Sequence, residues 1–184
     1  VQLMQVLKLN PQAKAHASLI EKFLAKWLSA QVLEETEHFL ENSARQLKAQ
    51  TTQDNIQLDG LPCLADWIEA PQYSLWQQVA VAENFKQALG LQTQLRAGQS
   101  ILSLDGYHVG PDWMIALDYD EASQAGQGAL SHRIRLDEIE QQLTQLEPKF
   151  ADLEQQLPEL TAQVKTVQSQ IQKISEQQKQ AQKQ

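Results

Sequence analysis

The sequence predicts an α/β domain over residues 1–130, followed by a long coiled-coil helix over residues 131–184. In the first part, short apolar runs alternate with amphipathic stretches, which is typical of strands alternating with helices. In the second part, apolar residues recur every three or four positions, which is the pattern of a coiled-coil seam. With only 7 Gly and 6 Pro, the chain is not expected to be rich in loops.

The first 95 residues contain a strand–helix pattern that occurs twice. The predicted elements are helices at 19–30, 34–47, 64–68 and 83–95 and strands at 30–33 and 79–82. Ser18 is placed to cap the first helix. The three-residue pattern Val32-x-Glu34 matches Val81-x-Glu83 at an offset of 49 residues. We interpret the match as two similar subdomains with small mixed sheets.

A hairpin is predicted after this repeat. Its strands, together with one further strand, are expected at 100–104, 107–109 and 113–117. Asp105-Gly106 lies between the first two strands and is a strong signal for a two-residue turn. Gly110-Pro111 forms the next turn. The polar residues 121–128 then form a loop that leads into the coiled coil.

The coiled-coil seam is the clearest pattern in the sequence. Its residues are Leu136, Ile139, Leu143, Leu146, Phe150, Leu153, Leu157, Leu160, Val164, Val167, Ile171 and Ile174. A helix of this length forms a rod of roughly 58 Å. Its narrow apolar stripe needs another helix as a partner. Pro148 and Pro158 lie off the seam, and each removes one helical hydrogen bond, so a bent or interrupted helix is expected.

Charge and cysteine content narrow the classes of function. Residues 1–130 hold 8 Lys/Arg against 15 Asp/Glu, a net charge of −7, which opposes a broad nucleic-acid surface. Cys63 is the single cysteine, so neither an intrachain disulfide nor a multi-thiolate zinc site can form. A reducing, intracellular compartment is the expected location. No long apolar run indicates secretion or a membrane span.

The sequence offers few candidates for catalysis or ligand binding. It has no Gly-x4-Gly-Lys-Ser/Thr loop, which excludes a P-loop ATPase site. Cys63 with a histidine could form a nucleophile pair, although a small core residue is the simpler interpretation. The histidines are too scattered for a metal site. An acidic turn at Asp118, Asp120 and Glu121 could bind a cation or be merely solvated. The four tryptophans could stack nucleobases or belong to the core. We therefore predict no catalytic residue, metal or cofactor.

Several segments, in this order, resemble the hinge domain of a bacterial structural maintenance of chromosomes (SMC) protein. The resemblance lies in residues 7–33, 61–71, 79–83 and 100–113, and in Gly128-Ala-Leu-Ser-His-Arg-Ile-Arg135 with the heptads that follow directly. The resemblance as a whole extends over nearly the whole chain, from residue 7 into the heptads. The fold that the resemblance implies is a compact α/β hinge of two similar subdomains with a coiled-coil arm.

In the SMC family, two hinges form a homodimer through sheet edges, and glycines let the backbones approach. The resemblance implies a dimer interface that comprises Gly106, Tyr107, Gly110, Trp113, Gly126 and Gly128. The family's Gly-Gly pair before the arm is replaced here by Gly126-Gln-Gly128. Weak DNA contact is expected at Lys22, Lys26, Arg133 and Arg135.

The resemblance also implies which other parts the full-length protein has and where it acts. An antiparallel incoming arm would precede Val1 and pair with the seam, and ATP hydrolysis would belong to head domains outside this chain. The protein would act in chromosome condensation and segregation, in the cytoplasm at the nucleoid. The alternatives are an α/β ligand-sensing domain that signals through its coiled coil, and a hydrolase. A free sheet edge favours the hinge, whereas a closed polar pocket favours the alternatives.

Overall fold

The computed structural model describes residues 1–34, 38–39, 41, 45–48, 54–119 and 127–181. The chain divides into two units, Val1–Arg135, called here the body, and Leu136–Gln184, called the arm. The body is a mixed α/β domain with small sheets, and the arm belongs to a long C-terminal helix, so this part of the predicted fold class is confirmed. None of the helices in the described ranges is both long and apolar enough to span a membrane.

The helices are α1 (Leu3–Val6), α2 (Pro11–Lys14), α3 (Ala17–Phe23), α4 (Leu64–Trp67), α5 (Ser74–Gln77), α6 (Phe85–Leu91) and α7 (Ala129–Ala181). A 3-10 turn (Gln92–Gln94) follows α6. The strands are β1 (Lys8–Leu9), β2 (Gln31–Leu33), β3 (Gln46–Lys48), β4 (Ile68–Ala70), β5 (Val79–Ala82), β6 (Ser100–Ser103), β7 (Tyr107–Val109) and β8 (Met114–Ala116).

Three small sheets organise the described part of the body. β1 pairs with β4 antiparallel, β2 pairs with β3 in parallel, and β5-β6-β7-β8 form a four-stranded mixed sheet. The helix predicted over 34–47 is wrong at its end, because Gln46–Lys48 is a strand. Leu47 is buried there and pairs with Val32, so tertiary pairing overrides the local helical pattern. Most of the rest of that prediction lies outside the described residues.

The core of the body is apolar and continuous. Every residue of β5 is buried, as expected for a strand covered on both faces in a parallel pair. The α3 residues Leu19 and Ile20 and the α5 residue Trp76 are fully buried in the same cluster. Leu130, in the first turn of α7, is also fully buried in it. The start of the long helix is therefore part of the body's core.

The hairpin between β6 and β7 forms, but its turn differs from the prediction. Strand pairing of Leu102 with His108 leaves a three-residue loop rather than two. A two-residue turn of type I′ needs φ > 0 at both positions. Gly106 has φ +99°, whereas Asp105 has no positive φ, so the two-residue turn predicted at Asp105-Gly106 is wrong. A three-residue hairpin loop needs the left-handed conformation only at its last position. The Asp105 carboxylate accepts a hydrogen bond from the Phe85 amide at 2.9 Å, which ties the loop to α6.

The arm helix is not interrupted. Pro148 and Pro158 lie inside α7, so the expected interruption is wrong. Each proline removes one hydrogen bond, while its ring occupies a helix face that is open to solvent in the arm. The helical run on both sides of each proline keeps the remaining hydrogen bonds, so the loss stays local.

Candidate interaction surfaces

Strand β8 forms an exposed apolar edge of the four-stranded sheet. All three of its residues are exposed, and Met114 and Ile115 are 52% and 53% accessible. Its one neighbour in the described sheet is β7. Soluble proteins usually protect such an edge with charges, prolines or a covering element. An uncovered apolar edge is therefore a candidate for pairing with another strand.

The backbone of β8 presents hydrogen-bonding groups to this open side. The Trp113 carbonyl accepts from the Gly110 amide, and the Leu117 amide donates to the Gly106 carbonyl, both at 2.8 Å. In an antiparallel ladder the residues that bond to a given neighbour alternate along the strand. The amide and carbonyl groups of Met114 and Ala116 thus point away from β7. They are oriented to continue the sheet by pairing with an added strand.

The glycines predicted at the dimer interface contact side chains of their own chain. A Cβ on Gly110 would lie 2.1 Å from Cε2 of Trp113, and one on Gly106 would lie 3.0 Å from the Tyr119 carbonyl oxygen. The space beside Gly110 is therefore occupied by an indole of the same chain, rather than being open to a partner backbone. Tyr107 packs against Phe85, with ring centroids 4.6 Å apart.

Among the predicted interface residues of this region, Trp113 is the exposed one, at 39%. It lies directly before β8 and packs edge-on against His108. A role for these residues in a dimer stays a prediction, and Gly126 lies outside the described residues. Sequence reasoning missed Met114 and Ala116 as outward-facing positions. The unbroken apolar run from 113 to 117 after a Gly-Pro turn was the signal that could have indicated them.

The root of α7 is fastened to α3 by a carboxylate. The Glu21 side chain accepts hydrogen bonds from the amides of Ala129 and Leu130, at 3.2 and 3.0 Å. These amides belong to the first turn of α7, where backbone donors lack helical partners and a negative charge is favourable. Gly128 has φ +119°, and a Cβ there would lie 2.3 Å from a Glu21 carboxylate oxygen. Gly128 therefore has an intrachain role, in allowing this cap.

Further polar contacts surround the same junction. Ser18, predicted as a helix cap, instead donates its hydroxyl to the Gln127 carbonyl and lies 3.1 Å from the Ser131 hydroxyl. That cap prediction is wrong, since α3 begins before Ser18. The Arg133 guanidinium donates to the Leu7 carbonyl at 2.8 Å. The first two turns of α7 are thus held by α3 and by the segment after α1.

The arm seam is exposed along its full predicted length. Each of its twelve apolar side chains is between 44% and 67% accessible. An isolated helix with so long an apolar stripe gains little from burial, so most of its stabilisation must come from a partner helix.

The four basic residues predicted to contact DNA are not equivalent. Lys22, Lys26 and Arg135 are exposed, whereas Arg133 is half-buried and uses its guanidinium on the Leu7 carbonyl. Lys22 and Lys26 line the same cavity in the body. Arg133 therefore serves the junction of α7 with the body.

The residues that the sequence offered as candidates for catalysis, base stacking or metal binding lie in environments typical of structural residues. Cys63 is 4% exposed, its Sγ lies 3.3 Å from the Gln77 carbonyl oxygen, and burial raises the pKa of the thiol, which disfavours the reactive thiolate. Trp67 and Trp76 belong to the core. In the described ranges no three His, Cys, Asp or Glu side chains are grouped so that they could hold a metal ion. Asp120 and Glu121 lie outside those ranges.

No protein-family model matches the chain, and no curated protein or solved structure matches it either.

Proposed function

We propose that this chain is the homodimerisation hinge of an SMC protein that acts in chromosome condensation and segregation, and that it joins two coiled-coil arms through an edge-to-edge pairing of β8. The observation that carries the proposal is the exposed edge of β8 with the outward backbone groups of Met114 and Ala116. Pairing with β8 of a second copy would bury both apolar edges and extend the sheet.

The arm supports the same function. Its exposed seam calls for a helix as partner, and the proposal assigns this place to an antiparallel incoming arm of the same protein. The cap by Glu21 and the buried Leu130 hold the root of α7 in the body.

The remaining parts of the proposal follow from the resemblance. Two parallel strand pairs, β2–β3 and β5–β6, support two related halves in the body. The hinge itself carries no catalysis, and ATP hydrolysis is assigned to head domains. The protein is placed at the nucleoid. DNA contact through Lys22, Lys26 and Arg135 is weak and falls steeply with salt, since these few cations belong to a domain whose residues 1–130 have a net charge of −7.

Sedimentation equilibrium of edge variants tests the proposal. The experiment uses the full chain with Leu153→Asp and Leu157→Asp, so that arm pairing does not contribute. In this background Ala116→Pro removes an amide that points to the open side, while the ladder to β7 keeps its hydrogen bonds. We expect a dimer in the parent chain and a monomer in Ala116→Pro, with little change in monomer stability.

A charged substitution gives a matched comparison. Met114→Lys places a cation on the edge, which natural sheets use to prevent pairing, and should also yield a monomer. Leu89→Lys makes a similar apolar-to-charged change at an exposed position of α6 and should leave the dimer intact. A parent chain that stays monomeric at high concentration, or edge variants that dimerise as well as Leu89→Lys, would contradict the proposed hinge.

A further inference from the structure

A cavity of about 700 Å³ opens on one face of the four-stranded sheet. Each strand of the sheet contributes one residue to its wall: Val79 from β5, Ser100 from β6, His108 from β7 and Ile115 from β8. Cross-strand pairing places Val79 beside Ser100 and His108 beside Ile115. The wall on this side is therefore one continuous row of neighbouring side chains.

The remaining walls are mostly apolar. Phe23, at the end of α3, and Trp27, in the turn that follows, line the cavity together with Leu75 and Leu117. Phe23 also packs edge-on against His108, with ring centroids 4.8 Å apart. The size and the aromatic and aliphatic lining are typical of sites for small organic ligands, which have volumes of roughly 300–1,000 Å³.

The polar groups on the sheet side of the cavity are uncharged. The His108 Nε2 and the Ser100 Oγ lie 2.8 Å apart and share a hydrogen bond. Burial lowers the pKa of His108 to about 4, so the imidazole is neutral near neutral pH. This pair can orient a ligand by hydrogen bonding without requiring a charge at that end.

The charged groups that the structure describes in the cavity wall have the same sign. Lys22 and Lys26 are exposed and line the cavity from the α3 side. Among the lining residues that the structure describes, none is an Asp or a Glu. Residues 1–130, with a net charge of −7, thus carry a local pair of cations beside an apolar cavity, which favours a ligand with a negative group.

We propose that this cavity binds a small amphipathic organic anion, with its apolar part on the sheet face at Val79 and Ile115 and its anionic end at Lys22 and Lys26. Charge complementarity favours this class over a neutral apolar molecule, because only a ligand with a negative group would form ionic interactions with the two lysines. The site lies wholly within the body and does not depend on dimerisation.

Displacement of a fluorescent dye tests the proposal. The probe is 1-anilinonaphthalene-8-sulfonate, which has aromatic rings and one sulfonate, and the competitors are decanoate and the uncharged 1-decanol. We expect saturable dye binding to the full chain at one high-affinity site. In the double variant Lys22→Gln, Lys26→Gln, the inhibition constant of decanoate, corrected for the dye's own affinity for that variant, should rise about fivefold, as for two partly screened charge contacts. The value for 1-decanol should stay unchanged.

Two matched controls separate the cavity from other apolar surfaces, including the arm seam. Ile115→Trp fills the cavity and should remove the high-affinity site. Met114→Trp makes a similar change at the next residue of β8, whose side chain points to the other face of the sheet, and should retain it. Lys86→Gln removes an exposed lysine of α6 that does not line the cavity and should not affect decanoate.

Dye binding that is equal in Ile115→Trp and Met114→Trp would overturn the proposal, because the dye would then lie elsewhere. Decanoate displacement that is unaffected by loss of both lysines would overturn the choice of an anion. Absence of saturable dye binding to the full chain would overturn the proposal that the cavity is a ligand site. Sedimentation of the same variants measures dimerisation independently of ligand binding. A failure of the proposed dimer can therefore be distinguished from a failure of the proposed ligand site.

Discussion

Replacing Glu21 by alanine should loosen the first turn of α7, which belongs to the body. Its carboxylate accepts from two amides in the first turn of α7, those of Ala129 and Leu130. Without it, both donors lose their partner at the start of a helix of 53 residues, and the positive end of the helix dipole loses a nearby negative charge.

The magnitude follows from these two contributions. Loss of a capping side chain costs about 1 kcal/mol, and loss of a favourable charge at a helix N-terminus costs about 0.5–1 kcal/mol. We therefore expect Glu21→Ala to lower the free energy of unfolding of the body by about 2 kcal/mol. Glu21→Gln keeps an oxygen acceptor but not the charge, and should lose about 1 kcal/mol.

Two measurements follow the effect. All four tryptophans lie in the body, so urea unfolding monitored by tryptophan fluorescence reports on the body rather than on the arm. Hydrogen exchange reports on the amides of Ala129 and Leu130, which should exchange faster in both variants. Glu69→Ala, at an exposed position of β4, is the control and should change neither measurement. Unchanged stability and unchanged exchange at the two amides in Glu21→Ala would refute the role of Glu21 as a cap.

Two further predictions concern the arm and His108. The double substitution Leu153→Asp, Leu157→Asp should abolish association of the arm and lower its helical content in circular dichroism. The control Gln155→Asp, which lies off the seam, should do neither. Equal effects of the double substitution and the control would show that the seam is not an interface. Burial lowers the pKa of His108 from 6.5 to about 4. Between these pH values the unfolded chain binds a proton at His108 that the folded chain does not bind. The free energy of unfolding should therefore fall as the pH drops from about 6.5 to 4, by at most about 3 kcal/mol. His108→Gln should reduce this pH dependence in urea unfolding, and an identical slope in the variant would show that His108 is not responsible.

Much of the fold follows from local patterns in the sequence. The arm was predictable because a heptad repeat over many turns has few alternatives. Strand β5 was predictable because Val79-Ala-Val-Ala82 is a short apolar run bounded by polar residues. The hairpin was predictable from Asp105-Gly106, although its loop length was not, because the length depends on the pairing register of β6 and β7.

The rest depends on contacts between distant parts of the chain. Strand β3 lies in a polar stretch and becomes a strand by pairing with β2. Glu21 caps Ala129 and Leu130, which follow it in the chain by 108 and 109 positions. No local sequence pattern indicates a cap between residues so far apart. Gly110 was interpreted as space for a partner, yet Trp113 fills that space, because side-chain directions within a turn are not set by spacing alone.

The pairing of β8 with β8 of a second copy can be tested by cross-linking. In an antiparallel pair, outward-bonding residues face outward-bonding residues. Two identical strands about a two-fold axis therefore always bring one residue opposite itself. For β8 that residue is Met114, Ile115 or Ala116, and Cα atoms of facing residues lie about 4.5–5.5 Å apart, within the range that a disulfide spans.

The most direct measurement is oxidation of the single variants Met114→Cys, Ile115→Cys and Ala116→Cys in the full chain, followed by non-reducing electrophoresis. The native Cys63 is buried, so the unaltered chain gives the background. The account predicts that one of the three variants cross-links rapidly into a dimer, and that Leu89→Cys on α6 does not. If none of the three forms a dimer faster than Leu89→Cys, β8 is not the surface through which two copies meet.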